Sequence, residues 1–470
     1  MNMKIFTGKL QYRNKDFIFV FDGESLKLIP EDQEILFSWT HKELIKGVFS
    51  FPVPIAIEEK IIIGHINENN RKIIFIMAMG RTFSQENNTI SIKPLAYIEV
   101  KHECKMIDRV SFTCPELDLI FPVRNAYQIS LSNEAIENGT YSIESRAFKD
   151  HTSQKAYFTY KNKEIKSYFS ISKSLHISNR TPIEFVSTLF FDFDGNKDYL
   201  FLYELAVLAR QFVQFLSNRQ NIQFEAIDLS TSNKEGKHER FAEMTILEKF
   251  EKDDFEIIKN RIIPFSDFSG FEGNVFQMIA DETLYFRHLP ESFRKGRIIN
   301  AATFVMITAA FEWEFRKLFP NGVEKEEKRI KAENNVCNYF DELIKEKTGE
   351  EKKILKYLQK LVGNDNLASE IIYVCNQLNN IIDIFGKYIY SINGEELIYS
   401  EMGERVARQR NNFAHGNLDK EFEGTALLDI MFLQIIVYAM QLKRSKIPDS
   451  QIRDAINSLF HLSLYIEQTK

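Results

Sequence analysis

The chain has 470 residues and a mass of 55.1 kDa, more than one ordinary hydrophobic core holds, so we expect roughly two or three domains. Hydrophobic residues make up 44% and charged residues 27%, which excludes wholesale disorder, collagen-like repeats and a small disulfide-stapled protein. The net charge of −6 excludes a general basic field for coating nucleic acid, so any contact with nucleic acid must be local.

Cysteine usage and the apolar segments predict a cytoplasmic protein without a membrane span. No two cysteines have CxxC spacing, which excludes a zinc ribbon and suits a reducing compartment. Residues 1–10 lack the charged and apolar regions of a signal peptide. The most apolar stretch, 426–442, is interrupted by Asp429, Gln434 and Gln441, so we interpret it as a buried helix. The four cysteines are Cys104, Cys114, Cys337 and Cys375.

The N-terminal part, residues 1–265, is predicted to be β-rich. β-branched and aromatic runs alternate with turns rich in Asn, Asp and Gly, which indicates an antiparallel sandwich or open barrel. One long helix is predicted over 199–218, because apolar residues recur there at helical spacing. The predicted strands are 15–21, 60–66, 72–79, 89–100, 222–229 and 240–247.

Residues 266–289 are predicted as a linker, since Ser266, Ser269, Gly270 and Gly273 cluster near its start. Residues 290–470 are predicted as an all-α bundle, so the fold class is α+β. The predicted helices are 298–319, 324–347, 352–361, 367–390, 395–413, 424–442 and 449–467. The first of them is apolar nearly all round and should be central.

The most specific sequence motif lies at the C-terminal end of the helix predicted over 395–413. It is the run Arg410-Asn411-Asn412-Phe413-Ala414-His415-Gly416, in which Gly416 suits a helix end. Asn411 and His415 are four residues apart and share a helix face. A guanidinium can hold phosphate oxygens and an imidazole can move a proton near neutral pH, so the pair suits phosphate chemistry. The competing interpretation is capping, because Arg and His favour helix C-termini.

The pattern Arg410-Asn411-x3-His415 near the end of an all-α bundle resembles the R-x4–6-H motif of HEPN domains. A β-rich region followed by such a bundle is similar to the ApeA-type anti-phage abortive-infection proteins of bacteria. The resemblance implies a metal-independent endoribonuclease, with no cofactor, in which a ribose 2′-hydroxyl attacks the adjacent phosphodiester. It implies His415 as general base or acid, Arg410 as the group that stabilises phosphate charge, and Asn411 as the orienting residue.

Further side chains are candidates for support and RNA contact. Glu312 on the first bundle helix and Asn412 are the supporting candidates, although Glu312 also has Arg316 four residues away as a local partner. A basic groove could form from Arg405, Arg408 and Lys420. The lysine runs at 325–331 and 352–360 are mixed with Glu and are typical of solvated helix faces.

Other motifs predict no chemistry. The run Asp192-Phe-Asp194-Gly-Asn196-Lys-Asp198 lacks the EF-hand Gly and Glu positions, so we interpret it as a turn that caps the following helix. The remaining histidines show no metal-binding spacing, and we expect no metal site.

The sequence therefore predicts a β-rich sensor or regulatory region and a HEPN bundle that cleaves RNA, with tRNA as a candidate target and a phage-derived trigger. The alternative is a catalytically silent interaction or nucleotide-binding module in which Arg410 and His415 cap helices. Cleavage by 2′-hydroxyl attack profits from both a base and an acid, and one chain supplies one motif imidazole. We therefore expect a homodimer that pairs two bundles beside the motif.

Overall fold

The computed structural model has a large antiparallel β-sheet in the N-terminal half and mostly helices in the C-terminal half. By its internal contacts the chain divides into two compact units, residues 1–281 with 291–293 and residues 282–290 with 294–470. The structure describes residues 5–32, 35, 39, 41–45, 49–52, 56–79, 84–86, 89–103, 106–130, 137–140, 142–176, 183–248, 250–363, 365–417, 422 and 424–465.

Fourteen of the strands in the described residues pair as one continuous antiparallel sheet. Its order is β14-β15-β16-β11-β17-β18-β10-β7-β6-β1-β2-β3-β9-β8, and β12–β13 and β4–β5 form separate pairs. The strands are β1 Phe6–Tyr12, β2 Lys15–Phe21, β3 Leu26–Pro30, β4 His41–Ile45, β5 Phe49–Pro52, β6 Ile61–Ile66, β7 Lys72–Ile76, β8 Ser84–Glu86, β9 Thr89–Ile92, β10 Ala96–Val100, β11 Ile107–Thr113, β12 Tyr127–Ser130, β13 Ser142–Ser145, β14 Ala156–Tyr160, β15 Lys163–Leu175, β16 Ile183–Asn196, β17 Ala226–Ser232 and β18 His238–Ile246.

Strand alternation builds the core of this sheet. In β2, Phe17, Phe19 and Phe21 are buried, while the intervening side chains point away, as a period of two requires. Phe19 and Phe21 meet Phe75 of β7 edge-to-face, with ring centroids 5.7 and 5.2 Å apart. The strand predicted over 89–100 is two strands instead, because Pro94 between them has no amide N–H for a ladder.

The first unit contains helices α1 Pro115–Ile120, α2 Tyr199–Ser217, α3 Phe255–Ile258 and α4 Glu272–Ala280, and a short helix α5 Phe293–Gly296 follows. The predicted capping turn is confirmed at Asp198, whose carboxylate accepts from the amides of Leu200 and Phe201 at the start of α2. Asp192 lies in β16 and pairs with Arg109 instead, at 2.6 Å. The apolar residues that predicted α2 are buried along its length.

The segment 266–289, predicted as a linker, holds α4 and is divided between the two units. Helix α4 covers the edge strand β14. The Gln277 side chain accepts from the Thr159 amide at 2.8 Å and donates to the Thr159 carbonyl at 3.2 Å, as a neighbouring strand would. Phe276 is buried and stacks on Phe158 of β14. The unpaired backbone N–H and C=O groups of an edge strand can pair with other chains. Helix α4 prevents this at Thr159 by bonding to both of its backbone groups.

The second unit contains α6 Ala301–Leu318, α7 Glu327–Glu346, α8 Gly349–Leu361, α9 Leu367–Gln377, α10 Asn379–Ser391, α11 Tyr399–Ala414, α12 Ala426–Arg444 and α13 Asp449–Phe460. The helix predicted over 367–390 is two helices that meet at Leu378. The helix predicted over 449–467 ends earlier, with His461 at φ 51°. Helices α2 and α12 are each long and apolar enough to cross a membrane, but such evidence is weak, since 67% and 72% of their apolar windows are buried within the protein.

Buried ion pairs join the helices of the second unit. Glu314 of α6 is fully buried, and Arg444 and Gln441 of α12 donate to its carboxylate. The same carboxylate accepts from the Tyr285 amide at 3.2 Å, which ties residues 282–290 to these helices. Burial raises the pKa of Glu314, and the charge of Arg444 opposes that rise.

Candidate functional site

Helix α11 carries Arg410 and Asn411, and a small residue sets its distance from α9. A Cβ added to Gly403 would lie 2.9 Å from the carbonyl oxygen of Ala368 on α9, closer than a real side chain tolerates. Met402, Val406 and Phe413 are buried on α11, and the Phe413 ring packs edge-on against Phe304 of α6. These contacts fix the orientation of α11, so its polar end has a defined direction.

Backbone hydrogen bonds within residues 411–417 form the C-terminal end of α11. His415 is the capping residue, and its amide donates to the carbonyl of Asn411. Gly416 follows at φ 79°, a conformation that favours glycine, and the Asn417 amide donates to the carbonyl of Asn412 at 3.0 Å. Backbone amides therefore satisfy the helix end, and the Arg410 and His415 side chains are not needed for capping.

Arg410 contacts side chains on two helices. Its guanidinium donates to Glu312 Oε1 of α6 at 3.3 Å and to Asn411 Oδ1 at 3.2 Å. Both charged groups are partly open to solvent, with 35% of the Arg410 and 28% of the Glu312 side chain exposed. The cationic partner of Glu312 among the ion pairs of the described residues is thus Arg410, and the sequence-local Arg316 is not bonded to it.

The His415 side chain is exposed, and its ring makes no hydrogen bond with any residue that the structure describes. His415 is five positions after Arg410, which corresponds to about 140° around an ideal helix, so the two side chains leave the helix in different directions. Asn411 connects them, because its side chain contacts Arg410 and its carbonyl accepts the His415 amide.

A carboxylate that sequence reasoning missed lies near Glu312. Glu370 is in the first turn of α9, and burial, then the negative charges of Glu312 and Asp365, raise its pKa to about 7, while Arg316 opposes the rise. No hydrogen bond to its side chain occurs within the described residues. In sequence Glu370 resembles an ordinary acidic residue at a helix start, and only the packing of α9 beside α6 distinguishes it.

The three candidate RNA contacts differ in their availability. Arg405 is committed to the fully buried Asp429, to which it donates two hydrogen bonds of 2.9 Å each. Tyr390 also donates to Asp429. Tyr390, Arg405 and Asp429 therefore link α10, α11 and α12 structurally. Arg408 is exposed and lies on the same face as Asn411 and His415, at spacings of three and seven residues. Lys420 lies outside the described residues.

Within the described part of the chain, no group of three or more His, Cys, Asp or Glu side chains is arranged to hold a metal ion. Comparisons of the chain with protein-family models, with curated proteins and with solved structures found no match.

Proposed function

We propose that the C-terminal unit is a HEPN-type endoribonuclease that cleaves RNA without a metal ion, within an ApeA-type anti-phage abortive-infection protein. The proposal rests on the hydrogen bonding and solvent exposure of the two motif side chains. Arg410 is held by side-chain oxygens of Glu312 and Asn411, and the exposed His415 ring has no hydrogen bond to the described residues. Structural caps would instead donate to backbone carbonyls.

In the proposed reaction the 2′-oxygen of a ribose bonds to the adjacent phosphorus, and the bond from phosphorus to the 5′-oxygen breaks. His415 either takes the 2′-hydroxyl proton as base while water protonates the leaving 5′-oxygen, or delivers a proton to the leaving 5′-oxygen as acid while water accepts the 2′-hydroxyl proton. The products are a 2′,3′-cyclic phosphate and a 5′-hydroxyl. Arg410 stabilises the charge that develops on the phosphate oxygens, and its two side-chain contacts pre-orient it for that task.

Glu312 has two effects on Arg410 in this scheme. It restrains the guanidinium, which lowers the entropic cost of aiming it, and it competes with phosphate for the same donors. The pair is partly exposed, so its own stabilisation is about 1 kcal/mol or less. The phosphate gains negative charge in the pentacoordinate transition state, so it can share or displace this contact there.

The test measures RNA ends produced by the full-length protein. We expect His415→Ala and Arg410→Ala each to abolish cleavage and toxicity in cells while the thermal unfolding temperature stays within a few degrees of wild type. His461→Asn is a matched control, because His461 is also an exposed histidine that caps a helix. It should cleave normally.

Cleavage should leave 2′,3′-cyclic phosphate ends and persist in EDTA. Full cleavage by folded His415→Ala protein would refute the catalytic assignment. It would favour the alternative of a silent interaction or nucleotide-binding module. Loss of cleavage in EDTA that Mg²⁺ restores would contradict the metal-independent mechanism.

The β-rich unit is proposed to restrain the nuclease until a phage-derived trigger is recognised, with tRNA as the candidate target. This unit has an open pocket of about 730 Å³ on β1, β2 and β6. Its lining combines charged side chains of both signs with apolar ones, including Lys9, Glu59, Ile61 and His65. A ligand with polar and apolar parts would suit such a surface.

A further inference from the structure

Contacts on two sides hold the first turn of α9, from which the Glu370 side chain extends. The Ser369 amide donates to the Asn366 side chain at 2.8 Å, and the Asn366 amide donates to the Ser369 hydroxyl at 3.1 Å. The Ala368 carbonyl lies directly against Gly403 of α11. The capping box and the close approach to α11 therefore fix the backbone at Glu370.

The next turn of α9 packs against α6 and places Glu370 opposite Glu312. The Tyr373 ring lies edge-on to the rings of Phe315 and Phe319, with centroids 6.4 and 5.2 Å apart. Glu370 is three positions before Tyr373, and Glu312 is three positions before Phe315. Residues three apart share a helix face, so the two carboxyl groups lie on the facing surfaces of α9 and α6.

Charged groups from α6 and from the segment before α9 act on Glu370. Burial is the largest cause of its raised pKa of about 7, and the negative charges of Glu312 and Asp365 add to it. The positive charge of Arg316 opposes the rise. The helix dipole normally favours the anionic form of a first-turn carboxyl group. Burial and the neighbouring charges outweigh it here, so Glu370 exchanges its proton near neutral pH.

Helix α11 contributes Arg410, which donates to Glu312 at 3.3 Å. The protonation of Glu370 therefore sets how much negative charge lies around this guanidinium. We propose that Glu370 is a positioning residue that acts on Arg410 and makes RNA cleavage depend on pH. This role rests on the proposed nuclease function and adds a control to the same site.

Protonated Glu370 leaves the guanidinium of Arg410 paired with Glu312 and available to phosphate. Ionised Glu370 adds negative charge that holds the guanidinium and opposes the phosphate, because carboxylates and phosphate oxygens compete for the same donors. One unit charge roughly 10 Å away, at an effective dielectric constant of roughly 40, changes the binding of a singly charged phosphodiester about fourfold. The effect is larger in the transition state, where the phosphate carries more charge.

The test compares kcat/KM for cleavage of bulk tRNA by full-length Glu370→Gln and wild type between pH 5.5 and pH 8.5. The ratio of the two values cancels the titration of His415, which both proteins share. The ratio should be near one at pH 5.5, where Glu370 is protonated and glutamine resembles it. At pH 8.5 the variant should be about four- to tenfold faster than wild type.

Two further variants separate the charge from the shape of the side chain. Glu370→Asp keeps the carboxyl group and should follow the wild-type pH profile. Glu404→Gln removes an exposed carboxylate from α11 itself, and its ratio to wild type should not change with pH, because exposed carboxylates stay ionised throughout this range. A Glu370→Gln ratio that is equal at pH 5.5 and pH 8.5, or a rise that Glu370→Asp reproduces, would overturn the role of Glu370.

Chemical modification of Arg410 gives a result that does not depend on RNA cleavage. Phenylglyoxal attacks the neutral guanidine, which nearby negative charge disfavours. At pH 8 the modification rate of Arg410 relative to the exposed Arg408, mapped by mass spectrometry, should be about threefold higher in Glu370→Gln than in wild type. An unchanged relative rate would overturn the role of Glu370. A raised relative rate in a protein that cleaves no RNA at any pH would refute the proposed nuclease function and leave the effect of Glu370 on Arg410 standing.

Discussion

Replacing Glu370 with glutamine should stabilise the second unit at alkaline pH and leave it unchanged near pH 4.5. The pKa of this carboxyl rises from 4.5 to about 7 in the folded protein, through burial and the nearby charges of Glu312 and Asp365. Between about pH 4.5 and about pH 7 the folded protein holds a proton that the unfolded chain has released. The free energy of unfolding of wild type therefore falls as the pH rises through this window.

The magnitude follows from the shift in pKa. At about 1.36 kcal/mol per unit, the shift corresponds to an upper limit of about 3 kcal/mol. The Glu370 side chain is partly exposed, and solvent screening reduces this to about 1–2 kcal/mol. Glutamine keeps the shape without the charge, so Glu370→Gln should be more stable than wild type by that amount at pH 8.

Urea unfolding at pH 4.5 and pH 8 measures the difference. Trp313 of α6 reports on the second unit, provided that Trp39 is first changed to phenylalanine. Glu350→Gln, an exposed first-turn change on α8, controls for helix-terminus effects. Glu312→Gln should shrink the pH-dependent difference, because it removes one of the charges that raise the pKa of Glu370. Equal stability of Glu370→Gln and wild type at pH 8 would refute the reasoning.

The remaining predictions concern packing and can be measured by thermal or urea unfolding. Arg405→Ala should cost about 3–5 kcal/mol, because it leaves Asp429 buried without its cation; Arg408→Ala, at an exposed position, should cost less than about 0.5 kcal/mol. Gly403→Ala should destabilise by about 1–3 kcal/mol despite the higher helix propensity of alanine, since the new Cβ clashes with the α9 backbone. Gln277→Ala should cost about 1 kcal/mol and increase aggregation measured by light scattering, because it uncovers the β14 edge.

Local patterns determined much of the secondary structure. A β-branched and aromatic run before the turn Asp22-Gly23 marked Lys15–Phe21 as a strand with the observed bounds, and helical spacing marked Tyr199–Ser217. Both patterns involve residues only a few positions apart, so the sequence alone contains all the information they need. The breaks at Pro94 and Leu378 were missed, because the apolar periodicity continues across both and conceals the interruption.

Sequence spacing also placed Arg410, Asn411 and His415 at one helix end, which the structure describes as the end of α11. It did not reveal the contact of Arg410 with Glu312, 98 positions away in the chain. It suggested Arg405 for RNA, whereas the tertiary structure commits that residue to Asp429.

The difference between local sequence patterns and tertiary packing also explains why the sequence did not reveal the exposed apolar residues of α7 and α8 or the environment of Glu370. In sequence α7 and α8 resemble solvated charged helices, since lysines and glutamates surround their apolar residues. Whether an apolar stripe is covered, or a carboxyl is crowded by another, depends on which helices pack together and at what angle. Those arrangements result from many weak contacts between segments distant in the chain, so local spacing does not encode them, and only the tertiary structure decided them.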